Sequence, residues 1–217
     1  WDNCSTDNTN IILKKYKNIK YYFAKKNTSL GEARELARKK AKGNWICYLD
    51  CDDYWYQNKL KDQVQFIKPN VGIIYSGIDE KDINGNLICR RYPLFKSGFM
   101  LEEQLRRFDI NMVTPLINNE LLNKNNLGFD RSMIASEEQD LFLKVCALSK
   151  VVTIPRIHGV STIRKDSLTN KSISHWSEER HKTLDYLEKY TLKEKYKSAI
   201  FKARLQAKYY QARYYAN

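Results

Sequence analysis

The chain has 217 residues, 42% hydrophobic and 12% aromatic, with a formal net charge of +13. That length and composition exclude a disordered chain and two full domains, and leave one α/β domain or a domain with a helical appendage. The charge points to an anionic partner: nucleic acid, a phosphorylated small molecule or an acidic membrane surface.

The chain opens on Trp1 and not on methionine, which leads to the expectation that it starts inside a longer protein with an upstream element before it. "IKYYFA" (19–24) reads as a strand. The next segment, "SLGEARELARKKAKG", reads as a helix: Ser29 and Glu32 have capping-box spacing, Leu30, Ala33, Leu36, Ala37 and Ala41 recur at helical intervals, and Gly43 supplies a stop. "WICYLD" (45–50) and "VGIIYS" (71–76) are further strands. Strand and helix alternating in this way predict βαβ units around a mostly parallel sheet. "DINGN" (82–86) signals a hairpin, "MVTPLIN" (112–118) a strand, 137–149 a helix and "VVTIP" (151–155) a last short strand.

From 177 onward neither Gly nor Pro interrupts a helical pattern. From Lys195 onward lie six Lys or Arg and no acid, with Ile200, Ala203, Ala207, Tyr210 and Tyr214 spaced by three and four. Such a basic amphipathic helix either packs its stripe on the domain or rests on anionic lipid. The expected division is a catalytic unit over 1–170 and a helical extension over 171–217. No apolar run is long enough to span a bilayer, which predicts a soluble chain. The five cysteines (4, 47, 51, 89 and 146) form no CxxC pair or Cys/His cluster, a pattern that fits a reducing cytosol and argues against a disulfide framework or zinc site.

"YLDCDDYW" (48–55) concentrates the chemistry. Three carboxylates within four positions follow an apolar run, and like charges so close repel one another. A core strand delivers its last residues to the edge where open α/β folds bind ligands. Alternation puts Asp50 and Asp52 on one side, roughly 6–7 Å apart by the strand rise. Such a pair can share a Mg²⁺ or Mn²⁺ ion that also takes substrate phosphate oxygens. Equally, the aspartates can end the strand and cap the following helix.

Four segments in order, "WDNCSTDNT", "NTSLGEARELARKKAKGNW", "YLDCDDYW" and "NLGFDRSMIASEEQDLFLKV" (126–145), resemble the successive motifs of family 2 glycosyltransferases, from Trp1 to about residue 165. The resemblance implies the Rossmann-like GT-A fold and metal-dependent, inverting transfer from a nucleotide diphosphate sugar, most often a UDP-sugar. It implies that Asp2 contacts the nucleotide base, Arg34 helps hold the nucleotide, Asp50 contacts ribose or metal, and Asp52 binds the metal, Mn²⁺ or Mg²⁺. Glu138 takes the place of the catalytic base, usually an aspartate, with Glu137 and Asp140 as fallbacks. Read without the resemblance, these three acids are the negative first turn of a helix, favoured by its dipole.

Two departures accompany the likeness. The strand and loop that precede the first motif in many relatives have no counterpart here, and an Arg-x-His becomes Arg164 and Asp166, with His158 and His175 nearby. The implied acceptor is a glycan or lipid-linked molecule of surface polysaccharide or lipooligosaccharide synthesis, met in the cytoplasm or peripherally at the inner face of the membrane. Nucleic-acid binding is the rival reading of the charge. An aspartate-lined cleft repels a phosphate backbone, so nucleic acid is not an expected partner. A catalytically inactive, scaffold-like relative is the other rival.

Overall fold

The computed structural model describes residues 1–164, 173–190 and 194–216. The first 24 residues hold one short helix, α1 (Thr9–Leu13), and a parallel bridge between Asp2 and Phe23. In that bridge the Asp2 amide donates to the Tyr22 carbonyl and the Ala24 amide to the Asp2 carbonyl. The expected strand at 19–24 is thus extended chain with a single ladder step. Helix α2 (Leu30–Lys40) starts as its capping signal predicts, with Ser29 Oγ accepting the Glu32 amide at 3.2 Å. Gly31 is required on its inner face, where a Cβ would lie 2.7 Å from the Asp130 carbonyl oxygen.

The elements that follow are β1 (Trp45–Ile46), β2 (Tyr54–Trp55), α3 (Lys59–Val64), β3 (Val71–Lys81) and β4 (Leu87–Arg91). Next come α4 (Leu101–Arg106), β5 (Leu116–Asn118), α5 (Asn119–Lys124), α6 (Glu137–Leu148) and β6 (Lys150–Thr162). Helix α7 (Ile173–Tyr190), a 3₁₀ turn (Glu194–Tyr196) and α8 (Lys197–Ala216) complete the described chain.

The strands make one sheet in the order β1-β5-β3-β6-β2, with β4 paired to β3. It is mixed rather than mostly parallel. Only β3 and β6 run parallel; the pairs β1·β5, β5·β3, β6·β2 and β3·β4 are antiparallel. The tight turn at 82–86 reverses β3 into β4, whereas β3 and β6 are joined by a long crossover that includes α6, the kind of connection parallel pairing needs. The strand expected over 45–50 enters the ladder only at Trp45 and Ile46, opposite Asn118 and Ile117. Beyond that point the partner chain reaches Pro115, which has no N–H to offer.

The last strand is longer than "VVTIP" suggests. Register jumps from Ser76↔Ile154 to Gly77↔Ile157, so Pro155 sits in a bulge and the strand resumes to Thr162. Strand β3, buried from Val71 to Asp79, is the central strand against which α6 packs.

The core unites Ile73 and Tyr75 of β3, Leu141 to Ala147 of α6, and Leu184, Leu187, Tyr196 and Ile200 of the C-terminal segment. Of the stripe read on α8, Ile200, Ala203 and Ala207 are buried against the domain, while Tyr210 and Tyr214 are exposed. The stripe's inner half is therefore occupied by packing and is not a lipid face. Exposed Phe201, Leu205 and Tyr209 lie on the opposite side of the helix. Among the described residues no helix is long and apolar enough to cross a membrane.

Candidate active site

Arg34 projects from the second turn of α2 and is 8% exposed. Its Nη2 donates to both oxygens of Asp50, at 3.1 and 2.9 Å, where the chain leaves β1. Its Nη1 donates to Glu137 Oε1 at 2.6 Å and stands 3.6 Å from Glu138 Oε2, on the first turn of α6. One guanidinium thus ties the acidic turn after β1 to the acidic start of α6, more than a hundred residues away. Burial opposes its charge, but the carboxylates of Asp50, Glu137 and Glu138 outweigh that and hold its pKa above the usual value.

The two glutamates differ. Glu137 is almost wholly enclosed, and burial, then the charge of Glu138, push its carboxyl upward while Arg34 only partly offsets them. Glu138 keeps about a third of its side chain open to solvent (32%) although protein surrounds it closely enough for desolvation to raise its pKa too. It is the glutamate of the pair that a substrate can reach. A carboxylate with raised affinity for a proton, open to solvent and oriented by a buried cation has the attributes of a general base.

The remaining aspartates of the turn have distinct settings. Asp52 faces outward, its side chain 29% exposed, with Arg164 Nε 3.3 Å from Oδ2, so the arginine after β6 meets the aspartate after β1. Thr162 Oγ1 donates to the Asp52 carbonyl, and the Thr162 amide donates to Asp53 Oδ1 at 2.9 Å. Burial, then the neighbouring Asp52 and Asp50, push Asp53 up to about 6. The turn is therefore stapled to the end of β6, with Asp50 and Asp52 left as its partly open carboxylates.

A shell of hydrogen bonds fixes the segment ahead of Glu138. Glu179, 3% exposed on α7, accepts the amides of Ile134 and Ala135 at 2.7 and 3.1 Å and the Ser136 hydroxyl at 2.7 Å. Glu35 and Arg38 form a buried pair from α2, and Glu35 Oε2 also accepts the Phe129 amide. A Cβ on Gly128 would collide with that Glu35 carboxylate, which is why the turn before α6 carries glycine there.

The domain that carries this cluster matches the family model described as "Glycosyl transferase family 2" over residues 1–128, more than half of the sequence. The chain belongs to glycosyltransferase family 2. An uncharacterized glycosyltransferase of Rickettsia felis is 30% identical over 174 residues, 78% of this chain but 28% of that protein. The Escherichia coli UDP-Glc:alpha-D-GlcNAc-diphosphoundecaprenol beta-1,3-glucosyltransferase WfaP is 41% identical over 105 residues, 46% of this chain and 42% of WfaP. In structure, Staphylococcus aureus TarS 1-349 in complex with UDP-GlcNAc superposes with a TM-score of 0.75 at 22% identity, over 95% of this chain and 61% of that one. The fold is the GT-A fold of TarS: a mixed sheet flanked by helices. The chain spans well under half the length of the first two relatives.

The family match ends before α6, so Glu137 and Glu138 are joined to the family 2 motifs by geometry, through Arg34. Asp140 does not join them. It is fully buried, with Lys144 Nζ at 2.6 Å on one oxygen and Thr183 Oγ1 at 2.8 Å on the other, and it links α6 to α7. The fallback role for Asp140 is corrected accordingly: its helical phase turns it from the Arg34 side into the helix layer. Asp2 is also set apart. Its oxygens accept the Ser5 amide and the Tyr21 hydroxyl, both at 2.7 Å, which closes the turn of the first motif. His158 is buried with Nε2 3.0 Å from Asp62, His175 is exposed, and Asp166 lies outside the described residues.

Sequence reasoning missed Asp53, Glu179 and the pairing of Arg164 with Asp52. No local signal marks Glu179, because its partners lie more than forty residues upstream.

Proposed function

We propose that this chain is the catalytic portion of an inverting, nucleotide-sugar-dependent glycosyltransferase, its site residues in 1–170 and its helical segment, 171–217, supporting them. One observation carries the reading. Arg34 joins the donor-side acid Asp50 to the acceptor-side acids Glu137 and Glu138 in a single ion-pair network. Support for the donor comes from TarS, solved with UDP-GlcNAc, and from a Pyrobaculum calidifontis mannosyltransferase of like fold (TM-score 0.58, 16% identity, 97% of this chain and 59% of that one), solved with GDP-Man and Mn²⁺.

The donor's diphosphate lies at the Asp50–Asp53 turn, Arg34 secures the nucleotide end through Asp50, and Asp2 borders the base. The acid set fits a hard divalent cation. Asp52 and Asp50 offer partly open carboxylate oxygens, and among the described residues no cluster of three or more His, Cys, Asp or Glu closes a cage of its own. That suits Mg²⁺ or Mn²⁺, which take one or two protein carboxylates and complete their shell with phosphate oxygens and water. Asp52 would hold the ion, whose chemistry is to offset charge on the departing diphosphate.

Glu138 takes the proton from an acceptor hydroxyl as that oxygen attacks the anomeric carbon opposite the leaving group, and one in-line displacement inverts the centre. Its side chain is one methylene longer than aspartate. Arg34 limits where that longer arm can go, and such positioning decides how well a base works.

The acceptor in this reading is a glycan or lipid-linked molecule of surface polysaccharide synthesis, met in the cytoplasm, and the exposed side of α8 is the face available to an anionic membrane. The test is transfer and donor hydrolysis with UDP-, GDP- and TDP-sugars plus Mn²⁺. Activity with one donor, lost in Asp52→Ala and Glu138→Ala and giving a product of inverted anomeric configuration, is the expected result. Full activity in both variants, or retention of configuration, overturns the assignment.

A further inference from the structure

A cavity of ≈ 620 Å³ lies where α4, α7 and α8 meet, a volume typical of small-molecule sites. Among the described residues, four arginines line it, Arg106, Arg107, Arg180 and Arg213, together with five aromatic side chains and no carboxylate. Arg180 decides what it can hold. It is 3% exposed; Nη2 donates to the Leu105 carbonyl at 3.0 Å, while Nη1 is buried without a hydrogen-bond partner among the described residues. Burial alone lowers its pKa to about 10, so it stays charged at neutral pH. Its neighbour Glu179 is committed to the 134–136 segment.

A second orphan shares the wall. Gln139 Oε1 is buried without a partner, and Gln139 directly follows Glu138 on the first turn of α6. Buried polar atoms ordinarily find partners, and a buried guanidinium without a counter-charge is costly. An unpaired cationic donor and an unpaired acceptor on residues lining one cavity call for an anion that also carries a hydroxyl. Much of the remaining wall, with Trp176 set edge-on to Tyr210 at 5.8 Å, is apolar, and the cavity is too large for a bare inorganic anion.

We propose that this cavity binds the phosphate ester of a lipid-linked acceptor: Arg180 takes the phosphate, Gln139 a hydroxyl of the attached sugar, and the Trp176–Tyr210 wall the first stretch of apolar chain. The proposal rests on the transferase reading, since it sets the acceptor's anchor one residue along the helix from the base.

The test is calorimetric titration of the full chain with farnesyl phosphate, kept below its micelle concentration and free of donor and cation. Farnesol and inorganic phosphate serve as separate arms, and UDP with Mn²⁺ is titrated in parallel. Saturable farnesyl phosphate binding is expected, at least tenfold tighter than either arm, quenching Trp176 fluorescence and falling at least tenfold in Arg180→Met and Arg180→Lys with UDP binding unchanged. Should the Arg180 variants fail to fold, the exposed-residue variant Arg107→Ala/Tyr214→Ala carries the same expectation. No farnesyl phosphate binding beside normal UDP binding overturns this inference and spares the transferase reading. Affinity equal to that of farnesol or of phosphate, or unchanged in every variant, overturns it too. Loss of UDP binding alone sinks the transferase reading and leaves the cavity's ligand class standing.

Discussion

Replacing Arg34 with methionine keeps much of its volume and removes the one charge that three carboxylates share. Glu137 bears the consequence, because its side chain is 2% exposed and Arg34 is its only ion-pair partner among the described residues. Breaking a buried pair by deleting one member costs about 3–5 kcal/mol. A proton limits the loss: burial and the Glu138 charge already hold Glu137 at about 7 in the parent, so at pH 7 its carboxyl is about half protonated and the variant takes up the rest at less than about 1 kcal/mol. The loss is therefore small below pH 7 and grows above it toward about 3 kcal/mol, or about 6–12 °C in Tm for a chain of this size.

The sign with pH follows from linkage. Glu137 holds its proton up to about 7 in the parent, and losing Arg34 raises its folded-state pKa further, so above about 7 the variant's native state keeps a proton that the parent and the unfolded chain have released. The variant's deficit relative to the parent therefore opens as pH rises above about 7 and shrinks toward pH 5. Urea unfolding at pH 5, 6, 7 and 8 measures this, with Arg34→Met/Glu137→Gln closing a double-mutant cycle. The double variant should regain most of the loss at pH 8 and flatten the pH dependence. A deficit equal at pH 5 and pH 8, or a double variant no more stable than the single, would refute the claim that Arg34 stabilises the fold by neutralising buried Glu137.

Three further outcomes are expected. Glu138→Gln should lower kcat by about 10²–10⁴ with donor KM little changed; in the parent, kcat/KM should climb with pH through a midpoint above the ordinary glutamate value of 4.5, because burial raises the Glu138 pKa and only the ionised form accepts a proton. Gly128→Ala should destabilise by about 1–3 kcal/mol, read as a lower Tm, since its Cβ displaces the Glu35 carboxylate from Arg38 and the Phe129 amide. Glu179→Ala strips the acceptor from two amides and a hydroxyl, at about 1–3 kcal/mol for each buried donor left unpaired; kcat should fall more than donor affinity, and a Glu179→Gln variant should recover part of both.

Local chemistry made much of the first half legible. The Ser29–Glu32 pair placed the start of α2, and the apolar run of 71–76 placed the centre of the sheet. The mixed direction of the strands was not legible, because periodicity identifies a strand without saying which neighbour it meets or how it runs. Pro155 shortened the last strand on paper, yet a two-residue bulge let the ladder continue. The C-terminal segment read correctly as helix, but its burial against α4 and α6 depends on contacts distant in sequence.

The site divides along the same line. Asp50, Asp52 and Arg34 stand in local patterns, whereas Glu179, Arg164 and Arg180 act through partners that only the fold supplies. Asp140 shows the converse hazard: four acidic or amide residues in a row at a helix start are equivalent in sequence, but each successive residue turns about 100° around the axis. Glu137 and Glu138 face Arg34, Gln139 faces the arginine-lined cavity and Asp140 faces Lys144 and Thr183. A single turn of α6 therefore carries a buried anchor, an accessible carboxylate, a cavity contact and a structural link. Shifting that turn by one residue would exchange these roles while leaving composition untouched. The hydrogen bonds of Glu179 to 134–136 hold the register, and for that reason a residue far from Arg34 in sequence governs which acid stays open to solvent.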